Sequence, residues 1–108
     1  MSFTNASRKQ TKAFYFSRAE LSIILSAYAT RVSNSDWRDY ALDYIPNCAV
    51  FSIFRHTNEQ PLFTIEKHCQ KGKDNAFFML RDRQKVLFRS AKLPDLINYL
   101  HRLPRLIK

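Results

Sequence analysis

The stretch Trp37-Arg38-Asp39-Tyr40-Ala41-Leu42-Asp43-Tyr44-Ile45-Pro46-Asn47-Cys48-Ala49-Val50-Phe51-Ser52-Ile53-Phe54-Arg55 decides the fold class. From residue 38 the apolar period is two: Tyr40, Leu42 and Tyr44 alternate with Ala41 and Asp43, as in a strand with one buried face. Pro46-Asn47 makes a tight turn, since proline presets the backbone and asparagine tolerates a left-handed one. Cys48–Arg55, rich in Val, Phe and Ile, returns as a second strand. The alternation continues in Leu62–His68, Ala76–Arg81 and Val86–Arg89, separated by polar loops at 57–60, 70–75 and 82–85. Five consecutive strands with short connections predict an antiparallel meander.

Helical signals flank this block. Upstream, Ala13–Phe16 reads as a short strand or as the lead-in to a helix. Ser17-Arg18-Ala19-Glu20 is a capping box, with Phe16 and Leu21 placed for the hydrophobic staple. Leu21, Ile24, Leu25, Tyr28 and Val32 then mark an amphipathic helix of about four turns, ending near Ser33-Asn34. Of the two capping bonds, the one from Glu20 should be the more exposed. Downstream, Pro94 suits the first helical position and Asp95 complements the helix N-terminus. Leu93, Leu96, Ile97, Leu100 and Leu103 form an apolar stripe. Pro104 ends the helix, and Arg102, Arg105 and Lys108 suit its negative end. The expectation is an α+β single domain: N-terminal helix, five-stranded antiparallel meander, C-terminal helix. Residues 1–12 form a flexible basic arm and 13–108 the domain.

Composition agrees. The chain has 108 residues, 45% hydrophobic and 14% aromatic, which suits one small globular core. Its single glycine, Gly72, excludes the P-loop, the dinucleotide fingerprint and the nucleophile elbow, which each need at least two. The formal charge is +9 and it is segregated. Residues 1–12 carry Arg8, Lys9 and Lys12 without an acid; residues 13–66 hold four bases and six acids; residues 67–108 hold eleven bases and three acids. An excess of +8 in the C-terminal half favours an anionic partner, nucleic acid before a membrane surface. No apolar run is long enough for a secretory leader or a bilayer span. The opening residues faintly resemble a transit peptide, but a basic arm is the simpler reading. Cys48 and Cys69 are expected to be reduced thiols in a cytoplasmic protein.

Alternation sorts the strands into two faces. Phe51, Ile53, Phe63, Ile65, Phe78, Leu80, Val86 and Phe88 form the core face, which the helices should cover. The second face mixes Val50, Ser52, Phe54, Leu62, Thr64, Glu66, Phe77, Met79, Arg81, Lys85, Leu87 and Arg89. One helix on each face, a homodimer interface, or an aromatic-basic platform for stacked bases would each explain it. Packing is the commoner role of Phe77 and Leu87, which favours the first two.

Catalytic and metal patterns are weak. Asp39 and Asp43 share a strand face about 13 Å apart, too far for a glycosidase pair. Adjacent His68 and Cys69 point to opposite faces, and nothing selects His56 or His101 as a partner for a nucleophilic cysteine. Cys48, His56, His68 and Cys69 lack zinc-site spacing. No enzyme activity, metal, cofactor or small-molecule ligand is expected. Trp37, Arg38 and Arg55 are a candidate interaction patch with Trp37 as anchor; the competing reading has Trp37 closing the core edge. The leading functional reading is a nucleic-acid-binding domain using Lys67, Lys71, Lys73, Phe77, Arg81, Arg83, Lys85 and Arg89. The alternative is a protein-interaction or homodimeric adaptor module using the mixed sheet face.

Trp37-Arg38-Asp39-Tyr40-Ala41-Leu42-Asp43, Ala49-Val50-Phe51-Ser52-Ile53-Phe54-Arg55 and Pro61-Leu62-Phe63-Thr64-Ile65-Glu66-Lys67, together with Phe16-Ser17-Arg18-Ala19-Glu20-Leu21, carry a family resemblance. Over residues 14–100 the chain resembles an uncharacterised alphaproteobacterial family known only as a domain of unknown function, DUF2794. His56 and Thr64 stand where that family usually has arginine. The resemblance implies a bacterial cytoplasmic setting and no activity, cofactor or catalytic residue.

Overall fold

The computed structural model describes residues 15–33, 36–56, 59–69 and 76–103. Helix α1 spans Arg18–Ser33 and α2 spans Leu93–Arg102; between them lie β1 (Asp39–Ile45), β2 (Cys48–Phe54), β3 (Phe63–Cys69), β4 (Ala76–Arg81) and β5 (Val86–Ser90). The strands pair in chain order, all antiparallel, as the short connections require. The β1–β2 turn is Pro46-Asn47, and Asn47 has φ 63°, the left-handed conformation that asparagine accepts. The expected arm at 1–12, Asn34, Lys71, Lys73, Gly72 and residues 104–108 lie outside the described residues.

The register sets one apolar row across the whole sheet: Leu42, Phe51, Ile65, Leu80 and Phe88 face one another in sequence. Phe51, Ile53, Ile65, Phe78 and Leu80 from this face pack with Phe16, Ile24 and Ala27 from the α1 region. Leu93, Leu96, Ile97 and Leu100 of α2 complete the same cluster. Both helices therefore cover the expected core face, which removes one helix on each face from the three explanations of the mixed face. The helices also touch each other, so they form a single layer.

Three details depart from the periodicity. The inward arc of α1 is Ile24, Ala27 and Arg31, with Leu21 and Tyr28 beside it, whereas Leu25 and Val32 are exposed flanks. Reading Arg31 as a surface residue rotates the expected stripe. Val86 is exposed because a register irregularity at Leu80/Arg81 places it opposite Arg81 rather than in the core row. Trp37 is only 1% exposed and packs against Tyr28 and Phe63, with the Arg31 guanidinium 5.1 Å from its ring. It closes the core edge and cannot anchor an exposed patch.

The capping box forms as its spacing predicts: Glu20 N donates to Ser17 Oγ at 3.1 Å, and Ser17 N donates to Glu20 Oε1 at 2.7 Å. Phe16 is buried beside it. Glu20 also accepts from Lys67 Nζ at 2.8 Å, and Lys67 donates to Tyr15 O at 3.0 Å. The start of α1 is thus pinned to β3. At the far end, Arg31 donates to Leu100 O and Leu103 O at the negative end of α2.

Candidate functional site

The face of the sheet away from the helices carries the polar chemistry. Pairing puts Asp43, Val50, Glu66, Met79 and Arg89 in one row across five strands. In the neighbouring row Cys48 lies opposite His68 and His68 opposite Phe77. Among the described residues no helix covers this face, yet Cys48, Ser52, Glu66 and Met79 are buried. Longer neighbours fold over them: His68, Phe77 and Arg81 are half-buried.

Glu66 is the centre. Its Oε2 accepts from Thr64 Oγ1 at 2.9 Å and Arg81 Nε at 3.1 Å, and its Oε1 lies 2.8 Å from His68 Nε2. Burial opposes ionisation of this carboxyl, but hydrogen bonds from His68, Arg81 and Thr64 outweigh it and hold the pKa below the ordinary value. Cys48 Sγ is 3.8 Å from His68 Nε2. Its thiol is pushed up by burial first and by the Glu66 charge second, against a smaller opposing effect of Arg81. Burial and the Glu66 charge thus both favour the protonated form of the Cys48 thiol. Cys48, Glu66 and His68 place one donor atom each within 4.8 Å of one another. Sequence spacing could not show this trio, although the β2–β3 hairpin register, once drawn, puts Cys48 opposite His68.

The residues expected to contact nucleic acid separate into two groups. Lys67 is on the helix-covered side, tied to α1, and Arg81 is bound to Glu66. Arg83 clasps the segment before β3, donating to Gln60 O, Pro61 O and Glu59 Oε1. Phe77 is flanked by the rings and charges of its neighbours: His68 stacks on it from β3 at 5.2 Å, and the Arg89 guanidinium lies over it from β5 at 4.4 Å. Lys85 and Arg89 are exposed at the β5 edge. Of the expected interaction patch, Arg38 is exposed and its backbone N–H donates to Phe54 O, while Arg55 is half-buried.

Among the described residues, no helix is long and apolar enough to cross a membrane. No curated protein and no solved structure matches the chain. Residues 14–97 match the family described as protein of unknown function (DUF2794), and the chain belongs to that family.

Proposed function

We propose that the chain is a cytoplasmic, non-catalytic nucleic-acid-binding domain that contacts phosphate through the β5 edge of its sheet. The observation that carries this reading is the charge gradient across the open face. Exposed Asp39 and Asp43 lie on edge strand β1; exposed Lys85, Arg89 and Lys92 lie on or beside edge strand β5. Lys85 and Lys92 form no ion pair among the described residues, so solvent counterions balance them and are available for release. Eleven bases and eight acids are among the described residues, so six of the nine excess charges lie in segments outside them, including Lys71 and Lys73. Those charges add to the same attraction. With Phe77 already stacked, affinity comes from phosphate contacts more than base stacking, and sequence preference is weak.

Filter binding to single- and double-stranded DNA and RNA at two salt concentrations tests the reading. Affinity should fall steeply with salt. On duplex DNA, replacing Lys85, Arg89 and Lys92 by alanine should lower the log–log salt slope by about 0.9 per lost contact. No retention at low salt refutes it. A homodimeric adaptor is the second reading, favoured by Ile45 at 52% exposure and half-buried Val50 and Phe54 on the open side, whereas Leu87 packs against the core. Light scattering at high concentration separates them: a monomer that binds nucleic acid removes the second reading.

A further inference from the structure

We infer that Cys48, Glu66 and His68 form a binding site for a divalent cation of the zinc class on the open sheet face. The site stands whether or not the chain binds nucleic acid. The three donors come from two hydrogen-bonded strands, with Cys48 directly opposite His68 and Glu66 two residues earlier on the same face of β3. Backbone pairing therefore fixes their relative positions before any ion arrives.

The distances are close to those a tetrahedral ion imposes. Zinc bonds of about 2.3 Å to sulfur and 2.0–2.1 Å to nitrogen or oxygen place neighbouring donors roughly 3.3–3.6 Å apart. Here the sulfur-to-nitrogen separation is 3.8 Å and the nitrogen-to-oxygen separation is 2.8 Å. Shifts of about half an ångström correct these two separations, and the sulfur-to-carboxylate separation, which reaches 4.8 Å, closes by roughly an ångström through rotation of the Cys48 and Glu66 side chains. On binding, the cation takes the Cys48 sulfur as thiolate, His68 Nε2 and Glu66 Oε1; the thiol proton leaves to solvent, and the ring gives up its Nε2 proton and carries its one N–H on Nδ1.

Outer contacts already hold two ligands in place. Thr64 and Arg81 occupy Glu66 Oε2, which leaves Oε1 for His68 or an ion. The His68 ring is held by its stack on Phe77. Such support is what orients metal ligands. Mixed sulfur, nitrogen and oxygen donors select zinc-like ions over magnesium or calcium. A thiolate and a carboxylate balance the dication, and Arg81 leaves one positive charge nearby. That charge, together with only three protein donors, makes the site exchangeable, with solvent or an external ligand in the fourth position.

The full chain, stripped with a chelator, is titrated with Co²⁺ and followed by absorbance. One equivalent should develop tetrahedral d–d bands and a thiolate charge-transfer band, both bleached by Zn²⁺. Cys48→Ser should lose the charge-transfer band, His68→Gln should weaken Co²⁺ binding at least about tenfold, and Cys69→Ser should retain both. Circular dichroism checks each variant's fold. Should a variant fail to fold, wild-type melting decides: Zn²⁺ about a hundredfold above its Kd should raise the midpoint by roughly 10 °C. Absence of the thiolate band in wild type, its loss in Cys69→Ser with retention in Cys48→Ser, or an unchanged wild-type midpoint overturns the site.

Discussion

Replacing Arg31 by alanine removes the group that joins the two helices. Its guanidinium is buried, 3.4 Å from the buried Asp36 carboxylate, and donates to Leu100 O and Leu103 O at 3.3 and 3.4 Å. Breaking a buried ion pair from one side costs about 3–5 kcal/mol, because the remaining carboxylate loses its counter-charge in a poorly solvated place. Two hydrogen bonds to a charged donor contribute on the order of 1.5–3 kcal/mol each when measured singly. They share one guanidinium with the ion pair, so the terms overlap and do not add. The expected loss is about 3–5 kcal/mol, a large part of the 5–15 kcal/mol typical of a domain. Urea melts followed by far-UV circular dichroism measure it. Asp36→Asn should cost less, since the Arg31 guanidinium that it leaves without a counter-charge keeps its bonds to Leu100 O and Leu103 O. The double variant should lose less than the sum of the two single changes. A loss below about 1 kcal/mol in Arg31→Ala, at unchanged urea slope, would show that α1 and α2 hold together without this contact.

Three further outcomes are expected. Ser17→Ala should cost about 0.5–2 kcal/mol through loss of the N-cap acceptor. Glu20→Ala should cost at least as much, because Glu20 also receives Lys67; urea melts of the two variants rank them, and a clearly smaller Glu20 effect would contradict the Lys67 tie. Glu66 has a depressed folded pKa, so its contribution is complete above the unfolded value of 4.5 and is lost as pH falls through the folded value. Melts of Glu66→Gln between roughly pH 5 and 3 should therefore show a flatter acid limb than wild type; parallel limbs would count against the network. The single tryptophan, Trp37, should emit at short wavelength and resist iodide quenching, including with nucleic acid bound; free quenching would place it at the surface.

Strand order and the core row were legible because the period-two pattern and the turn residues agree. Pro46-Asn47 fixes the first hairpin, and inward Leu42, Phe51 and Ile65 follow from it. The capping box was legible because both partners are three residues apart. Arg31 was not: its nearby acceptor Asp36 does not by itself turn an arginine inward, and its other acceptors, Leu100 O and Leu103 O, are about seventy residues away. The position of the second helix was also hidden. α2 has one apolar stripe, which fits either face of a sheet, and the choice rests on contacts with β4, β5 and α1. Val86 failed for a different reason, because a register irregularity breaks the parity on which alternation depends.

The open face resolves a conflict that sequence alone left standing, a carboxylate in the middle strand between Val50 and Met79. A buried carboxylate is costly unless hydrogen-bonded. Thr64, His68 and Arg81 meet that need from the same strand and the next, without a covering helix. Satisfying Glu66 in this way spends Arg81 locally and withdraws it from any phosphate. It also fixes His68, whose ring supports Phe77, over which Arg89 lies. The donor cluster and the basic edge are therefore joined by one chain of contacts, Cys48 to His68, His68 to Phe77 and Phe77 to Arg89. On the proposed metal reading, an ion that opens the His68–Glu66 separation alters the surface on which Phe77 rests, and Arg89 is the phosphate-facing residue that registers the change. Lys85, in the β4–β5 turn and outside that chain, does not.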